Sequence, residues 1–557
     1  MFVREKRIGA YSYLYLVESV REGGRVKQRV IKNLGRKDAV LASGELDRLA
    51  RSLSKLAQRS LVLSLLDEGR APHPAARRFG PALLFERLWV ETGCRAVMEE
   101  LLAERRFEFA VERAVFLTVL HRLMMSGSDR AAERWREDYR IDGTQDLDLH
   151  HLYRAMAWLG EELGEPAPAG ALAPRATKDL IEERLFARRR DLFSELSVVF
   201  MDTTSLYFEG AGGDSLGAYG FSKDHRPDRK QMVVAAVLDG QGHPLCCELM
   251  PGNTSDVAVL RPLVRRLQQR FGIGRVCIVA DRGMISAATI AALEAAGFDY
   301  ILGVRERSDP LVRRVVLVDD RPLTPLVLTR KRRQVQYGAK EVIVDGRRYI
   351  VCRNENQAQA DAADRQRIVE GLQRQLAKGE RTLVANMGYR RYLKAGGPQR
   401  LVVDEAKLAD EAMFDGIFVL RTNTTLDPLQ AMLRYKDLWT VEQLFRSAKS
   451  LLETRPIFHQ RDETIRGHVF CSFLALVLRK ALEDRLAAHG LKLEWADVLR
   501  DLDRLQELEL DQDGKRFCLR TPVTGVAGKL FQAVGVALPP NIRALSPQTH
   551  AAEAPKL

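Results

Sequence analysis

The stretch VVFMDTTSLYF, residues 198–208, sets the fold class. Its apolar, β-branched opening reads as a buried strand, and the apolar run stops at a carboxylate, Asp202. VCIVADRGM, residues 276–284, repeats the pattern, with its apolar run stopping at Asp281. A carboxylate at the end of an apolar strand is costly to bury unless a cation or a hydrogen-bond donor meets it. For either aspartate alone, a turn or helix-capping role is the better explanation. Around the two runs lie KQMVVAAVLDGQGHPLCCELM (230–250), with a hairpin turn expected at DGQG, the helical ISAATIAALEAAG (285–297) and the strand DYILGVR (299–305). Several strands, a helix and another strand predict a mixed sheet covered by helices.

A third carboxylate comes from LWTVEQLFRSAKS, residues 438–450. Leu438, Val441, Phe445, Ala448 and Leu452 recur at helical spacing and form an apolar stripe. Glu442, Arg446, Lys449 and Glu453 follow one residue later, about 100° around the axis, and Tyr435 falls on the same second stripe. Ordinary salt bridges on a solvated face explain that stripe too, at roughly 0.2–0.5 kcal/mol per pair. Three carboxylates from separate elements allow another reading. Such a set can hold two divalent cations about 3.5–4 Å apart, an arrangement suited to phosphoryl displacement. Oxygen-only ligands favour Mg²⁺ or Mn²⁺ over zinc.

Composition narrows the class of partner. The 557 residues exceed one ordinary core, so three or four domains are expected. Lys and Arg total 87 against 74 Asp and Glu, a net charge of +13, which favours a polyanionic partner. No run approaches the roughly 20 apolar residues of a membrane span, and the N-terminus lacks an apolar signal core, so a cytoplasmic location is expected. Seven scattered cysteines form no CxxC pair and suggest neither a disulfide framework nor a zinc site; Cys246 and Cys247 read as buried thiols.

Along the chain, residues 1–45 read as an N-terminal β-hairpin about a Gly-Gly turn, and 46–190 as a helical region closed by the Pro-rich GEPAPAGALAP (164–174). Residues 191–307 carry the first strands, and 308–412 break the rhythm as a β-rich insertion with a charged helix. Strand FDGIFVLRTN and the Glu442 helix fall in 413–490, and a C-terminal region and tail in 491–557.

The ordered set MDTTSLYF, GFSKDHRPDRKQ, MPGNTSD, VADRGM and YKDLWTVEQLFRSAKS closely resembles bacterial insertion-sequence transposases. These are the DDE enzymes of the insertion-sequence-four superfamily, and the resemblance is to its sixteen-thirty-four branch. It covers roughly residues 1–490. The superfamily's third motif is Tyr-x2-Arg-x3-Glu-x6-Lys; Tyr435, Glu442 and Lys449 fit it, while Leu438 stands at the arginine position. Arg434, Lys436 and Arg446 are the neighbouring candidates for the missing cation. The resemblance implies a ribonuclease-H-like mixed-sheet core interrupted by the β-rich insertion, with Asp202, Asp281 and Glu442 as catalytic metal ligands for two Mg²⁺ or Mn²⁺ ions. It implies cutting of double-stranded DNA at the terminal inverted repeats and transfer of the 3′-hydroxyl ends to target DNA. It also implies a homodimer on DNA, in the bacterial cytoplasm at the nucleoid, without a membrane partner.

Other residues are expected around this set. Lys449, Arg446 and Tyr435 would meet DNA phosphates. Trp439 suits either base stacking or core packing. Lys223, Arg226 and Arg229, with His225 and Lys230, form a basic loop that suits phosphates or simple solvation. Asp256 is expected to cap a helix, and His459 and His468 to be structural. Arg130, Arg134, Arg136 and Arg140 give the helical region a basic face for the DNA ends, or a solvated one. Two other functions fit the same motifs: a metal nuclease on this fold without strand transfer, and a non-catalytic DNA-binding repressor. The complete Asp202/Asp281/Glu442 set weighs against the repressor.

Overall fold

A computed structural model describes residues 1–22, 25–56, 75–164, 173–189, 198–273, 276–330, 333–376, 392–395, 401–447, 454–512 and 515–545. Lys449, most of the Pro-rich segment and nearly all of the C-terminal tail lie outside these residues. The chain forms two compact units, residues 1–77 with 505–522 and 538–557, and residues 78–504 with 523–537.

The first unit opens with β1 (Phe2–Ile8), β2 (Tyr11–Glu22) and β3 (Arg25–Arg36), followed by α1 (Lys37–Ala42) and α2 (Glu45–Leu56). The three strands form an antiparallel sheet in the order β1-β2-β3. The sequence reading has a hairpin here; β1, FVREKRI, adds a strand in front of it, and all seven of its residues are exposed. A second sheet pairs β4 (Ala75–Arg78) with strands from the far end of the chain, β16 to β18 below.

The second unit begins with helices α3 (Gly80–Glu91), α4 (Cys94–Leu102), α5 (Val111–Met124), α6 (Asp129–Arg136), α7 (Leu149–Gly160) and α8 (Thr177–Arg189). Then come β5 (Val198–Tyr207), β6 (Gln231–Asp239), β7 (Pro244–Pro251), α9 (Asp256–Phe271), β8 (Cys277–Ala280), α10 (Ala287–Ala295) and β9 (Asp299–Gly303). The insertion supplies β10 (Thr324–Arg330), β11 (Arg333–Val344), β12 (Arg347–Asn354), α11 (Glu355–Leu376), β13 (Leu393–Ala395), β14 (Leu401–Val403) and α12 (Glu405–Ala412). After β15 (Ile417–Thr422) the chain is helical through α13 (Pro428–Lys436), α14 (Trp439–Arg446), α15 (Asp462–Ala488) and α16 (Trp495–Asp503). It ends in β16 (Gln506–Gln512), β17 (Lys515–Arg520), α17 (Ala527–Val534) and β18 (Ile542–Leu545).

One nine-stranded mixed sheet organises this unit, in the order β10-β11-β12-β15-β9-β8-β5-β6-β7. β5, β8 and β9 run parallel, and β5-β6-β7 form an antiparallel meander. The insertion strands continue this sheet: β12 pairs β15 and β15 pairs β9. Alternation sends side chains of each central strand to opposite faces. Val199, Met201 and Ile278 pack under α9 and α10 with Leu260, Leu263 and Leu293. Phe200, Val279 and Ala236 pack on the other face under Met432 of α13 and Val441 and Phe445 of α14.

On the same face as α13 and α14, α15 is buried along much of its 27 residues. It crosses α7 where both backbones are bare: a Cβ on Gly467 would fall 2.0 Å from Met156 O, and one on Gly160 would fall 1.9 Å from Glu463 O. A buried ion network ties α8 and α9 to β7. Arg266 reaches Asp179 at 2.5 Å, and also Glu182 and Glu248, while Lys178 donates to Asp179 and to Cys247 O at 2.7 Å each. All seven cysteines are buried and free. No helix among the described residues is long and apolar enough to cross a membrane.

Candidate active site

The parallel pairing of β5 with β8 runs from Val198↔Cys277 to Met201↔Ala280. Asp202 and Asp281 are therefore the next residues on two adjacent strands, emerging side by side where that pairing stops. Asp202 is not at a strand end, as its apolar run suggested. β5 continues to Tyr207 because β6 keeps pairing with it, and Asp202 sits opposite Ala236. By alternation both aspartates emerge on the face covered by α13 and α14.

Glu442 comes to the same place from above. Leu438, Val441 and Phe445 bury the apolar stripe of α14 against the sheet, and Glu442, one residue around the helix, is exposed. A cleft of about 470 Å³ is lined by Asp202, Asp281 and Glu442, with Tyr435, Lys436 and Trp439. The Tyr435 hydroxyl donates to Asp281 Oδ1 at 3.0 Å, and its ring stacks on Phe418 with centroids 6.0 Å apart. Gly303, the last residue of β9, makes this reach possible: a Cβ there would lie 2.4 Å from the Tyr435 hydroxyl.

The electrostatics follow from burial and crowding. Burial raises the Asp202 carboxyl to about 6; Lys223 opposes the shift, and Asp281 and Asp256 add to it. Burial, then Asp281, push the Tyr435 phenol far above its ordinary range, so it remains a donor at any working pH. Asp202 Oδ1 also accepts from the Thr203 backbone N–H at 2.7 Å.

A fourth carboxylate adjoins this set. Asp256 was expected as a helix cap, and it lies in the first turn of α9, but the N-cap is Ser255. Its Oδ1 accepts from Thr203 Oγ1 at 2.6 Å, and its Oδ2 lies 3.3 Å from Lys223 Nζ. Lys223 also donates to Thr203 O at 2.9 Å. Nothing in local sequence separates this aspartate from an ordinary first-turn residue; only the packing of α9 on β5, which seats it on Thr203, brings it next to the neighbour of Asp202.

The remaining expected residues divide. Trp439 lines the cleft and is 38% exposed, so it is not a core residue. Leu438, at the position of the motif arginine, is buried in the apolar cluster under α14. Lys436 takes the cleft-side position, its ammonium 4.3 Å from the Tyr337 ring centroid. Arg446 is exposed at the end of α14. Arg226 forks onto Asp228 with two 2.9 Å bonds, and Arg229 pairs with Glu209 at 2.6 Å, so both order their own loop. Arg136 donates to the carbonyls of Thr144, Gln145 and Leu147 and closes a turn. His459 and His468 join a buried network in which Arg122 contacts His468 Nδ1 at 2.8 Å and Asp129 lies 3.3 Å from His459. Arg122 supplies the cation of this network, 3.6 Å from Asp129.

With this geometry in view, comparison with known families is decisive. Residues 193–478, just over half of the chain, match the family model for the transposase DDE domain, and residues 3–67 match the N-terminal domain of IS1634 family transposases. The chain belongs to the DDE transposase family, with an N-terminal domain of the IS1634 type. Comparison with curated proteins gives no match. Among solved structures, a chain of a pre-cleavage Mos1 transpososome is similar at 12% identity, covering 35% of this transposase and 60% of that chain, with a TM-score of 0.13. The transposase thus spans about 60% of the Mos1 chain's length.

Proposed function

We propose that this transposase cuts double-stranded DNA at the terminal inverted repeats of its element and joins the freed 3′-hydroxyl ends to target DNA. The observation that carries the reading is the convergence of Asp202, Asp281 and Glu442 on one cleft, from two adjacent strands and a covering helix. The strand order β7-β6-β5-β8-β9, an antiparallel meander followed by two parallel strands, supports a ribonuclease-H-like core in which those positions carry the chemistry.

The donor set fits hard divalent cations. All three groups are carboxylates, and the Asp202 carboxyl is raised by burial, with Asp281 and Asp256 adding like charge, a state that a bound cation would relieve. Three carboxylates of this kind suit two Mg²⁺ or Mn²⁺ ions. When bound, such ions supply activation of the attacking oxygen and stabilisation of the leaving oxygen in phosphoryl transfer. The protein's own residues do the positioning. Tyr435 fixes the Asp281 carboxylate through its hydroxyl. Lys223, held between Thr203 and Asp256, offsets charge next to Asp202. Lys436 and, from the far end of α14, Arg446 place cations for the DNA backbone, and Trp439 offers an exposed ring for an unstacked base. Lys449 completes the third motif as a further phosphate contact. Cutting of paired ends calls for a homodimer on DNA.

The test is a labelled duplex bearing the element's terminal repeat, incubated with Mg²⁺ and a target plasmid. The wild type is expected to cut at the repeat boundary and join the end to the plasmid, and Glu442→Gln to do neither. Cutting without joining would leave a nuclease. Specific binding without cutting by either protein would leave a repressor.

A further inference from the structure

The charge of this chain is unevenly placed. Residues 1–36 hold nine Lys or Arg and three Glu, so +6 of the net +13 falls in about a fifteenth of the length. These residues are the three-stranded sheet β1-β2-β3, and their register sorts them by face. Alternation along β2 puts Tyr11, Tyr13 and Tyr15 on one face. Opposite them on β1 stand Ile8, Lys6 and Arg4, and on β3 Arg36 faces Tyr13 and Asn33 faces Tyr15. The Arg36 guanidinium lies 4.4 Å from the Tyr11 ring centroid, and Arg4 donates to Gln28 of β3 at 2.7 Å.

The other face is different in kind. Glu5 and Glu18 alternate onto it, Glu5 paired with Lys37 at 2.7 Å and Glu18 with Arg29. Helix α1 packs there through Val40, whose Cγ2 would lie 3.1 Å from a Cβ on Gly35, above the buried Leu14. One face therefore meets a helix and carries acids that are ion-paired, whereas the other presents tyrosines down its centre strand, with Arg4 and Lys6 on β1 and, on β3, Arg36, which also pairs with Asp38 at 2.6 Å. Tyr11 is 49% exposed.

We propose that the Tyr11/Tyr13/Tyr15 face is a duplex-DNA docking surface that enters the major groove; this rests on the transposase reading above, with DNA as the substrate. Neighbouring strands are about 4.8 Å apart, so the outer strands stand about 10 Å apart, and the major groove is about 12 Å wide. Arg4 and Lys6 on β1 then meet phosphates on one groove wall and Arg36 on β3 meets the other, while the phenol hydroxyls on β2 meet base edges. Phosphate contacts set register and affinity, and the centre strand supplies discrimination.

Binding of the full-length protein without metal tests this, with a duplex of the terminal repeat, a scrambled duplex and the matching single strand. Each phosphate contact contributes about −0.9 to the slope of log K against log salt. Arg4→Gln with Lys6→Gln is expected to flatten that slope by about 1.8. Arg7→Gln with Lys32→Gln removes the same charge from the opposite face and is expected to leave the slope unchanged. Equal losses from both pairs would mean that only net charge matters and would overturn the proposal; so would tighter binding to the single strand. Irradiation of the wild type on a bromodeoxyuridine-substituted repeat adds a readout that needs no variant: cross-links at Tyr13 or Tyr15 support the surface, and cross-links only elsewhere contradict it. Glu442→Gln is expected to keep the full salt slope. A wild type that binds through this face but never cuts would therefore sink the transposase reading alone.

Discussion

Replacing Tyr435 with Phe removes one oxygen and one hydrogen bond, the 3.0 Å donation to Asp281 Oδ1, and leaves the ring on Phe418 in place. A hydrogen bond to a charged group contributes about 1.5–3 kcal/mol. If Asp281 must be held for catalysis, the loss appears in the rate, and at about 1.4 kcal/mol per tenfold it corresponds to about 10- to 150-fold slower cleavage. Single-turnover cleavage of the terminal-repeat duplex, measured across a Mg²⁺ titration, reads this directly. A looser carboxylate is also expected to need more Mg²⁺ for half-maximal rate. Gly303→Ala provides an independent route to the same defect, because its new Cβ would lie 2.4 Å from the tyrosine hydroxyl and must displace it. In a Tyr435→Phe background the same alanine is expected to cost much less, because the displaced oxygen is already gone and the two effects are coupled. A Tyr435→Phe enzyme within twofold of wild type, with an unchanged Mg²⁺ requirement, would refute the reasoning. A rate loss fully matched by a fall in melting temperature would refute it as well.

Three other predictions follow from the same geometry. The Asp202 carboxyl is raised to about 6 in the fold against about 3.9 in an unfolded chain, so the metal-free folded state binds this proton more tightly; the penalty is absent below about pH 4 and complete above about pH 6. Asp202→Asn is therefore expected to raise the melting temperature at neutral pH, by at most about 3 kcal/mol in stability, and to have no such effect in acid; equal melting at both pH values would count against it. Asp256→Asn removes a like charge from beside Asp202 and the 3.3 Å ion-pair partner of Lys223, so the acidic limb of the cleavage pH profile is expected to move to lower pH; an unmoved limb would remove Asp256 from the site. Arg266→Met leaves the buried Asp179 and Glu182 with Lys178 in place of two close cations, and urea denaturation is expected to show a loss of about 3–5 kcal/mol, with under 1 kcal/mol contradicting the role of the network.

Much of the site was legible because it breaks local rules. An apolar strand running into Asp202 or Asp281, and a glutamate one residue off an apolar helical stripe, are each odd, and the three oddities agree in order and spacing. Residues that obey local rules were not legible. Asp256 looks like any first-turn aspartate, and Arg226 and Arg229 look as available as Lys223 until Asp228 and Glu209 are seen to hold them. Strand β1 was missed because FVREKRI is exposed on both faces, so its alternation carries no inward apolar signal. The joining of the insertion to the main sheet depends on β12 pairing with β15 across more than fifty residues of intervening chain, which no window of sequence contains. For Asp256 and for the insertion the missing information was a contact between residues far apart in the chain.

The most direct test of the central claim is Mn²⁺ binding, by electron paramagnetic resonance, to the wild type and to Asp202→Asn, Asp281→Asn and Glu442→Gln on uncut terminal-repeat duplex. The account predicts two ions per active site in the wild type and weakened or lost binding in each variant, with DNA affinity retained. Unchanged Mn²⁺ binding in all three variants would place the metal, and the chemistry, somewhere other than this cleft.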